Sequence, residues 1–186
     1  MGVLERAGQT IENRWNDADA QGLSEQELLH YRSNLLGSDL TLTNFAGGNT
    51  STKVAMPDPL TGKDAPVLWV KGSGGDLGSM GIRGFSTLYM DKLESLKDLY
   101  RGLEHEDEIV GYLPHCTFNN NPRAASIDTP LHAFIPRPHV DHLHPDALIA
   151  IAAAVYFFAS ERSAKSTGAF SSSCFFHWAI CVGWTL

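Results

Sequence analysis

Apolar residues recur at helical spacing in several parts of the chain. Ser24 and Glu27 match the capping-box pattern that begins a helix, and Gly37 is predicted to end it. A second helix is predicted over residues 85–103, where the apolar side chains lie on one stripe. Two shorter helices are expected later, over Thr129–Phe134 and from Pro145 onward, because proline is favoured in the first helical turn.

Strand patterns alternate with glycine-rich segments. The segments 40–45, 51–55 and 66–71 are predicted strands, and the first and third lead into the runs GGNTS at 47–51 and GSGG at 72–75. Residues 139–144 form a further extended segment. The pattern therefore predicts a compact arrangement of strands with two corners rich in backbone amides.

Residues 155–186 have a different character. They contain three charged residues, and their aromatic side chains follow neither a helical nor a strand period. The apolar run 174–182 is too short to cross a bilayer. We expect this tail to be atypical of the domain before it, and a frameshifted or mis-spliced end is favoured over a divergent terminus.

Composition and charge narrow the classes of function. The chain has 186 residues, 19% of them charged, and a formal net charge of −7, which argues against a nucleic-acid partner. A small anionic substrate is compatible with this charge, because backbone amides can bind phosphate. Three cysteines without a CxxC pair favour a reducing compartment, and the N-terminus lacks a signal-peptide pattern, so we expect a cytoplasmic protein without a membrane span.

His142 and His144 are the first candidate for chemistry. Side chains at i and i+2 of an extended segment point to the same face, so two imidazoles can share one zinc ion at about 2.0–2.1 Å. The alternative is a pair of surface histidines without function. Asp141 and His139 beside them either orient the ligands or lie on the surface.

Asp128 is the second candidate. A carboxylate near a metal ion can remove a proton from a carbon next to a carbonyl group. Its alternative role is the N-cap of the helix that begins at Thr129. The two glycine runs have a similar pair of interpretations: they bind an anion through backbone amides, or they are plain turns.

The ordered set of motifs resembles the class II aldolase/adducin family, and more narrowly the aldolase half of bifunctional rhamnulose-1-phosphate aldolase/short-chain dehydrogenases. The resemblance covers residues 15–154. It is carried by YRSNLLG at 31–37, GGNTS at 47–51, WVKGSGGDLG at 69–78, EHEDE at 104–108, PHCT at 114–117, SIDTPLH at 126–132 and VDHLHPDA at 140–147.

The resemblance implies a three-layer α/β/α fold around a mainly antiparallel sheet, assembled as a homo-tetramer. It implies a zinc-dependent aldolase (another divalent metal is an alternative) that cleaves L-rhamnulose 1-phosphate to dihydroxyacetone phosphate and L-lactaldehyde. His142 and His144 would be zinc ligands, and Asp128 would be the catalytic acid/base, although many relatives have Glu there. The residues implied to bind the substrate phosphate are Gly48, Asn49, Ser73, Gly74 and Ser126.

The sequence departs from the family pattern after residue 154. The third zinc histidine of the family, followed by glycine, is not found there, because His177 precedes Trp178. The GxGxxG pattern of a dehydrogenase half is also missing. We therefore expect a fold that is incomplete at its C-terminus. Three functions stay open: an aldolase, a truncated inactive fragment of such an enzyme, and an adducin-like interaction module without catalysis.

Overall fold

A central antiparallel sheet with helices on both faces forms the described part of the chain. The computed structural model describes residues 13–154 and the backbone of residues 180–184. The elements are α1 (Asp17–Ala20), α2 (Glu25–Gly37), β1 (Asn49–Pro57), β2 (Asp64–Lys71), β3 (Phe85–Tyr89), α3 (Met90–Leu99), α4 (Glu106–Tyr112), α5 (Thr129–Phe134), β4 (His139–Leu143), α6 (146–154) and β5 (Ile180–Trp184). Short 3-10 turns span Ile82–Gly84, Leu103–His105 and Leu113–Cys116.

The strand order among the described residues is β3-β2-β1-β4-β5, and every neighbouring pair is antiparallel. β1 and β2 form a hairpin. β4 pairs with the other edge of β1, and the connection from β3 to β4 contains α3, α4 and α5. This connection brings Asn49 opposite His142. β5, from the tail, pairs with the far edge of β4. The remainder of the tail, including residues 174–179 of its apolar run, lies outside the described residues.

Alternation along β1 explains the three layers. Thr50 faces α2, where its hydroxyl lies 2.6 Å from the Ser33 Oγ. Ser51 faces the opposite side, where its hydroxyl lies 2.7 Å from Nδ1 of His132 in α5. Because neighbouring residues of a strand point to opposite faces, helices cover both sides of the sheet. The predicted three-layer α/β/α fold with an antiparallel sheet is confirmed.

The main core lies between β2, β3 and the helices α3, α4 and α5. It excludes water from a continuous set of apolar side chains, and each such side chain contributes about 1.5–3 kcal/mol to folding. The buried members are Leu68, Val70, Leu88, Leu93, Leu96, Ile109, Leu113, Cys116 and Ala133. This core holds α5, and with it the end of the loop that carries Asp128, against the sheet.

The predicted helix over residues 85–103 is wrong at both ends, over residues 85–89 and 100–103. Residues Phe85–Tyr89 form β3, which pairs with β2, and the helix covers only Met90–Leu99. The spacing of the apolar positions predicted a helix here because the strand is also buried at the polar residues Ser86 and Thr87, so its apolar residues do not alternate. A strand buried on both faces has no alternation, so its pattern cannot be told from one helical turn.

The predicted strand at 40–45 is also wrong, because the segment forms turns. The Asp39 carboxylate accepts hydrogen bonds from both the backbone N–H and the hydroxyl of Thr41, at 2.9 and 2.6 Å. The Asp39 carbonyl accepts from the N–H of Leu42 and Thr43. Side chain-to-backbone bonds of this kind compete with sheet pairing.

The N-terminus of α2 confirms the capping box. The Ser24 Oγ accepts from the N–H of Glu27, and the Glu27 carboxylate accepts from the N–H of Ser24. The helix ends at Gly37 as predicted; Gly37 is its last residue and Ser38 is the C-cap. A glycine is needed at 37 because a Cβ there would lie 2.1 Å from the backbone nitrogen of Gly78. The close approach holds α2 against the second glycine-rich corner.

The later helices follow the prediction. α5 spans Thr129–Phe134 with proline in its first turn, and residues 146–154 are helical after Pro145. No helix in the described ranges 13–154 and 180–184 has the length and apolarity needed to span a bilayer.

Candidate metal and acid–base site

His142 and His144 lie on the same face of the sheet, at the C-terminal end of β4. Their Nε2 atoms are 3.1 Å apart. Two nitrogen ligands of a tetrahedral zinc ion with bonds of about 2.0–2.1 Å lie about 3.3–3.4 Å apart, so the pair matches one edge of such a site. The two side chains therefore fit a divalent metal.

The surroundings of His142 favour the neutral imidazole that a metal requires. Burial lowers the pKa of His142; the Asp128 carboxylate opposes this shift, and His144 and Lys71 add to it. Its Nδ1 is buried without a hydrogen-bond partner among the described residues, and it lies 3.8 Å from Asp128 Oδ1. A carboxylate on the far nitrogen of a metal-binding histidine orients the ring.

Asp128 occupies the N-cap position of α5, but its side chain makes no capping hydrogen bond. Its Oδ2 instead accepts from the Ser126 hydroxyl at 3.0 Å and from the Asn49 amide. These two contacts leave Oδ1 as the oxygen on the His142 side. The carboxylate is therefore directed to the candidate site and away from the helix backbone.

Asn49 connects the elements that build the site. Its Nδ2 donates to the Ser126 hydroxyl at 2.9 Å as well as to Asp128, and its Oδ1 accepts from Lys71 Nζ at 3.4 Å. The backbone bridge between Gly72 and Ala125 holds the segment before Ser126 beside the end of β2. Three of the predicted residues, from β1 and the loop before α5, thus form one hydrogen-bonded group.

Lys71 was not singled out in the sequence, although it ends the predicted strand immediately before a glycine run. It is 3% exposed, and its Nζ also donates to the Ala46 carbonyl at 3.3 Å. Burial lowers the pKa of Lys71, and the Asp128 carboxylate partly opposes this shift. A buried cation beside the candidate acid/base is a feature that only the folded chain shows.

The two glycine corners flank this group. Gly48 and Gly74 have left-handed backbone angles, with φ of 68° and 72°, which favour glycine. Gly48 lies against the His142 carbonyl, because a Cβ there would be 3.1 Å from that oxygen. The N–H of Ser73 already donates to the Ala124 carbonyl, so Ser73 can offer its hydroxyl, not its amide, to a ligand.

Asp141 and His139 do not contact the metal-binding histidines; they lie on the α2 side of β4. The Asp141 carboxylate accepts from Arg32 Nε at 3.0 Å in a buried ion pair. The His139 Nδ1 lies 3.0 Å from the Thr52 hydroxyl. Because strand residues alternate between the two faces, His142 faces the candidate site and Asp141 faces α2. Asp141 and His139 are therefore buried against α2; they neither lie on the surface nor orient the metal-binding histidines.

His132 is a further buried histidine that carried no signal in the sequence pattern. It follows Asp128 by four residues, the spacing that places two side chains on one side of a helix. Its ring is fully buried, with its centroid 6.2 Å from that of His142, and its Nε2 has no partner among the described residues. Burial, above all, lowers the pKa of His132 to about 3.

This burial predicts a loss of stability in acid that His132→Gln should reduce. The unfolded state protonates the histidine below about pH 6.5, whereas the folded state resists until about pH 3. The unfolded state therefore binds more protons in this window. The free energy of unfolding should fall by about 2 kcal/mol from this residue between pH 7 and pH 5.

The measurement is urea unfolding at both pH values, with a chelator present, for the wild type, His132→Gln and the exposed control His115→Gln. The control should keep the wild-type dependence on pH. In His132→Gln most of the fall of roughly 2 kcal/mol in the free energy of unfolding between pH 7 and pH 5 should disappear. A smaller dependence on pH should remain from His139 and His142, because their pKa values are also lowered. An unchanged slope in His132→Gln would contradict the prediction.

Among the side chains that the structure describes, no third histidine, cysteine or acidic residue joins the pair to make a three-ligand metal group. His177, the remaining histidine of the tail, lies outside the described residues. The described part of the site therefore consists of two convergent imidazoles, a nearby carboxylate, and a hydrogen-bonded amide and hydroxyl beside two glycine corners.

Comparison with known proteins identifies the class. The fold is similar to the N-terminal class II aldolase domain of a conserved protein from Thermoplasma acidophilum, with a TM-score of 0.68 and 34% identity, covering 76% of this chain and 64% of that one. No family model matches the chain. Fold and sequence together define a class II aldolase domain.

A second similarity concerns a longer protein. The chain is 44% identical over 145 residues to the uncharacterized oxidoreductase YuxG of Bacillus subtilis (strain 168), covering 77% of this chain and 21% of that protein. The chain thus spans about a fifth of that relative's length. In both fold and sequence the chain is thus similar to a class II aldolase domain.

Proposed function

We propose that this chain carries the cleavage site of a zinc-dependent aldolase that converts a ketose 1-phosphate of the L-rhamnulose 1-phosphate type to dihydroxyacetone phosphate and L-lactaldehyde. The observation that carries the proposal is the Nε2 contact between His142 and His144, with Asp128 3.8 Å from the far nitrogen of His142. A plain surface histidine would not be buried beside a carboxylate as His142 is.

Each residue has a defined role in this proposal. His142 and His144 would hold the metal ion, which supplies Lewis-acid polarisation of the ketose carbonyl when it is bound. Asp128 Oδ1 would return a proton to the carbon next to the carbonyl of dihydroxyacetone phosphate during cleavage, and remove it during condensation. Ser126 and Asn49 hold Asp128 through Oδ2, which leaves Oδ1 on the side of His142, where the reacting carbon would lie in this proposal.

The glycine corners support a phosphorylated substrate. Gly48 and Gly74 adopt backbone angles that L side chains rarely adopt; Gly48 precedes Asn49, and the bridge between Gly72 and Ala125 joins the other glycine run to the segment before Ser126. Turns of this kind present N–H groups and short hydroxyls to an anion. We include assembly into a homo-tetramer in the proposal, because the family resemblance implies it, and a cytoplasmic location, because three cysteines without a CxxC pair favour a reducing compartment.

A second candidate is a metal-binding domain without turnover of its own. It is favoured by the two-histidine ligand set of the described residues, since catalytic zinc sites usually have three protein ligands. In that case the pair would bind a divalent ion more weakly, and catalysis would need a ligand from elsewhere.

One experiment separates the candidates. The full chain is purified, its zinc content is measured, and cleavage of L-rhamnulose 1-phosphate is followed by the release of dihydroxyacetone phosphate. For an aldolase we expect stoichiometric zinc with turnover, and a loss of about 10²- to 10⁴-fold in kcat for Asp128→Asn at unchanged zinc content. Zinc without turnover would favour the second candidate, and a chain with neither would contradict both.

A further inference from the structure

Arg123 lies across the glycine run at 72–75. A Cβ on Gly72 would meet the Arg123 side chain, with Nε at 2.5 Å, and a Cβ on Gly75 would lie 3.1 Å from Nη2. The guanidinium donates through Nη2 to the Ser73 carbonyl. The glycines thus make room for a cation directly over the turn that is expected to bind the substrate phosphate.

Arg123 has no ion-pair partner among the described residues. Within that part of the chain, its buried Nε also has no hydrogen-bond partner. An unpaired buried donor costs roughly 1–3 kcal/mol, and more for a charged group. A bound anion would relieve this cost, because a guanidinium presents its donors in the geometry of phosphate oxygens.

A second cation lies on the same side. Lys71 precedes the glycine run, and Arg123 is close enough to lower the pKa of the Lys71 ammonium, whereas Asp128 and Asp76 raise it. The Asp76 carboxylate accepts hydrogen bonds from the Ser79 hydroxyl and the Ala46 N–H, and Asp128 is held by Asn49 and Ser126. Arg123 therefore lies over the turn itself, while Lys71 Nζ lies at Ala46 and Asn49 beside it, and a doubly negative group suits this positive surrounding.

We propose that Arg123 is the specificity-determining residue that selects a phosphorylated ligand at the Gly72–Gly75 turn, by pairing its guanidinium with the phosphate dianion. The inference rests on the proposed function, which places a phosphate at Ser73 and Gly74. Lys71 acts differently, because it contacts Asn49 Oδ1 and so fixes the amide that holds Ser126 and Asp128.

Isothermal titration calorimetry with two probes, dihydroxyacetone phosphate and inorganic phosphate, tests this inference on the full zinc-loaded chain, with unphosphorylated dihydroxyacetone as the comparison ligand. Arg123→Met keeps the aliphatic stem over Gly72 and removes the charge. We expect Kd for both phosphate ligands to rise about 10- to 100-fold. Binding of dihydroxyacetone should not change, and the dependence of phosphate binding on salt should weaken.

Two matched variants complete the test. Arg123→Lys should recover part of the affinity, and the exposed Arg137→Met should bind like the wild type. Equal phosphate affinity in the wild type and Arg123→Met, with both folded by circular dichroism, would overturn the proposal. If the wild type binds neither phosphate ligand, the phosphate site itself is refuted, and the separately measured zinc content then shows whether the metal part of the proposed function survives.

Discussion

Alanine at His144 is expected to weaken zinc binding by more than about 100-fold, because it removes one of the two imidazoles whose Nε2 atoms converge at 3.1 Å. His142→Ala should have a similar effect. A competition titration against a chelator of known zinc affinity measures the change directly, and it does not depend on whether the chain is active alone.

The exposed His115→Ala controls for adventitious zinc binding by surface imidazoles and should match the wild type. A visible spectrum of the Co²⁺-loaded chain adds a second readout, since loss of one nitrogen ligand should change its ligand-field bands. Equal zinc affinity in His144→Ala and the wild type would refute the metal site. It would leave the fold and the phosphate proposal untouched, because those rest on other residues.

Asp141→Ala is expected to destabilise the fold by about 3–5 kcal/mol, because it removes a buried ion-pair partner of the Arg32 guanidinium while that group stays charged. That is a large part of the about 5–15 kcal/mol by which a domain is stable. Urea unfolding of both chains, with a chelator present, measures the difference. The loss should concern the attachment of β4 to α2.

The matched control is a double-mutant cycle with Arg32→Met. Removing both charges should cost much less than the sum of the single changes, since the double variant has no unpaired buried charge. Arg32 also donates to the Ser51 carbonyl, so part of its own cost should persist. A cost below about 1 kcal/mol for Asp141→Ala would show that the pair is only weakly coupled, as surface pairs are.

Much of the fold was accessible from the sequence, because several signals are local. The capping box at Ser24 and Glu27 needs only neighbouring residues, and so does the helix that begins near Pro145. β3 was missed because its identity as a strand depends on pairing with β2, which contributes nothing to the local pattern. The turns at 40–45 were missed because the alternating pattern predicts a strand, whereas hydrogen bonds from Thr41 to the Asp39 carboxylate stabilise a turn.

Part of the candidate site was likewise predicted from the sequence, and part is visible only in the structure. The spacing of His142 and His144 predicts a shared face of a strand, and their arrangement at the end of β4 agrees with that spacing. Asn49 and Ser126 were implied by resemblance, and the structure brings them into contact with Asp128. Their binding of substrate stays a prediction. Arg123 had no sequence signal at all, because its position over the glycine run follows from a single backbone bridge between distant segments.

The sequence by itself determined which residue types stand at which spacing, and from these it predicted the candidate site residues and the family that the chain resembles. Only the tertiary structure decided how those residues are used. In the folded chain Asp141 pairs with Arg32 on the face opposite His142, and the Asp128 side chain makes no capping hydrogen bond. The fold also buries Lys71 beside Asn49. The physical reason is that burial, charge and hydrogen bonding depend on segments that meet only when the sheet closes β4 against β1.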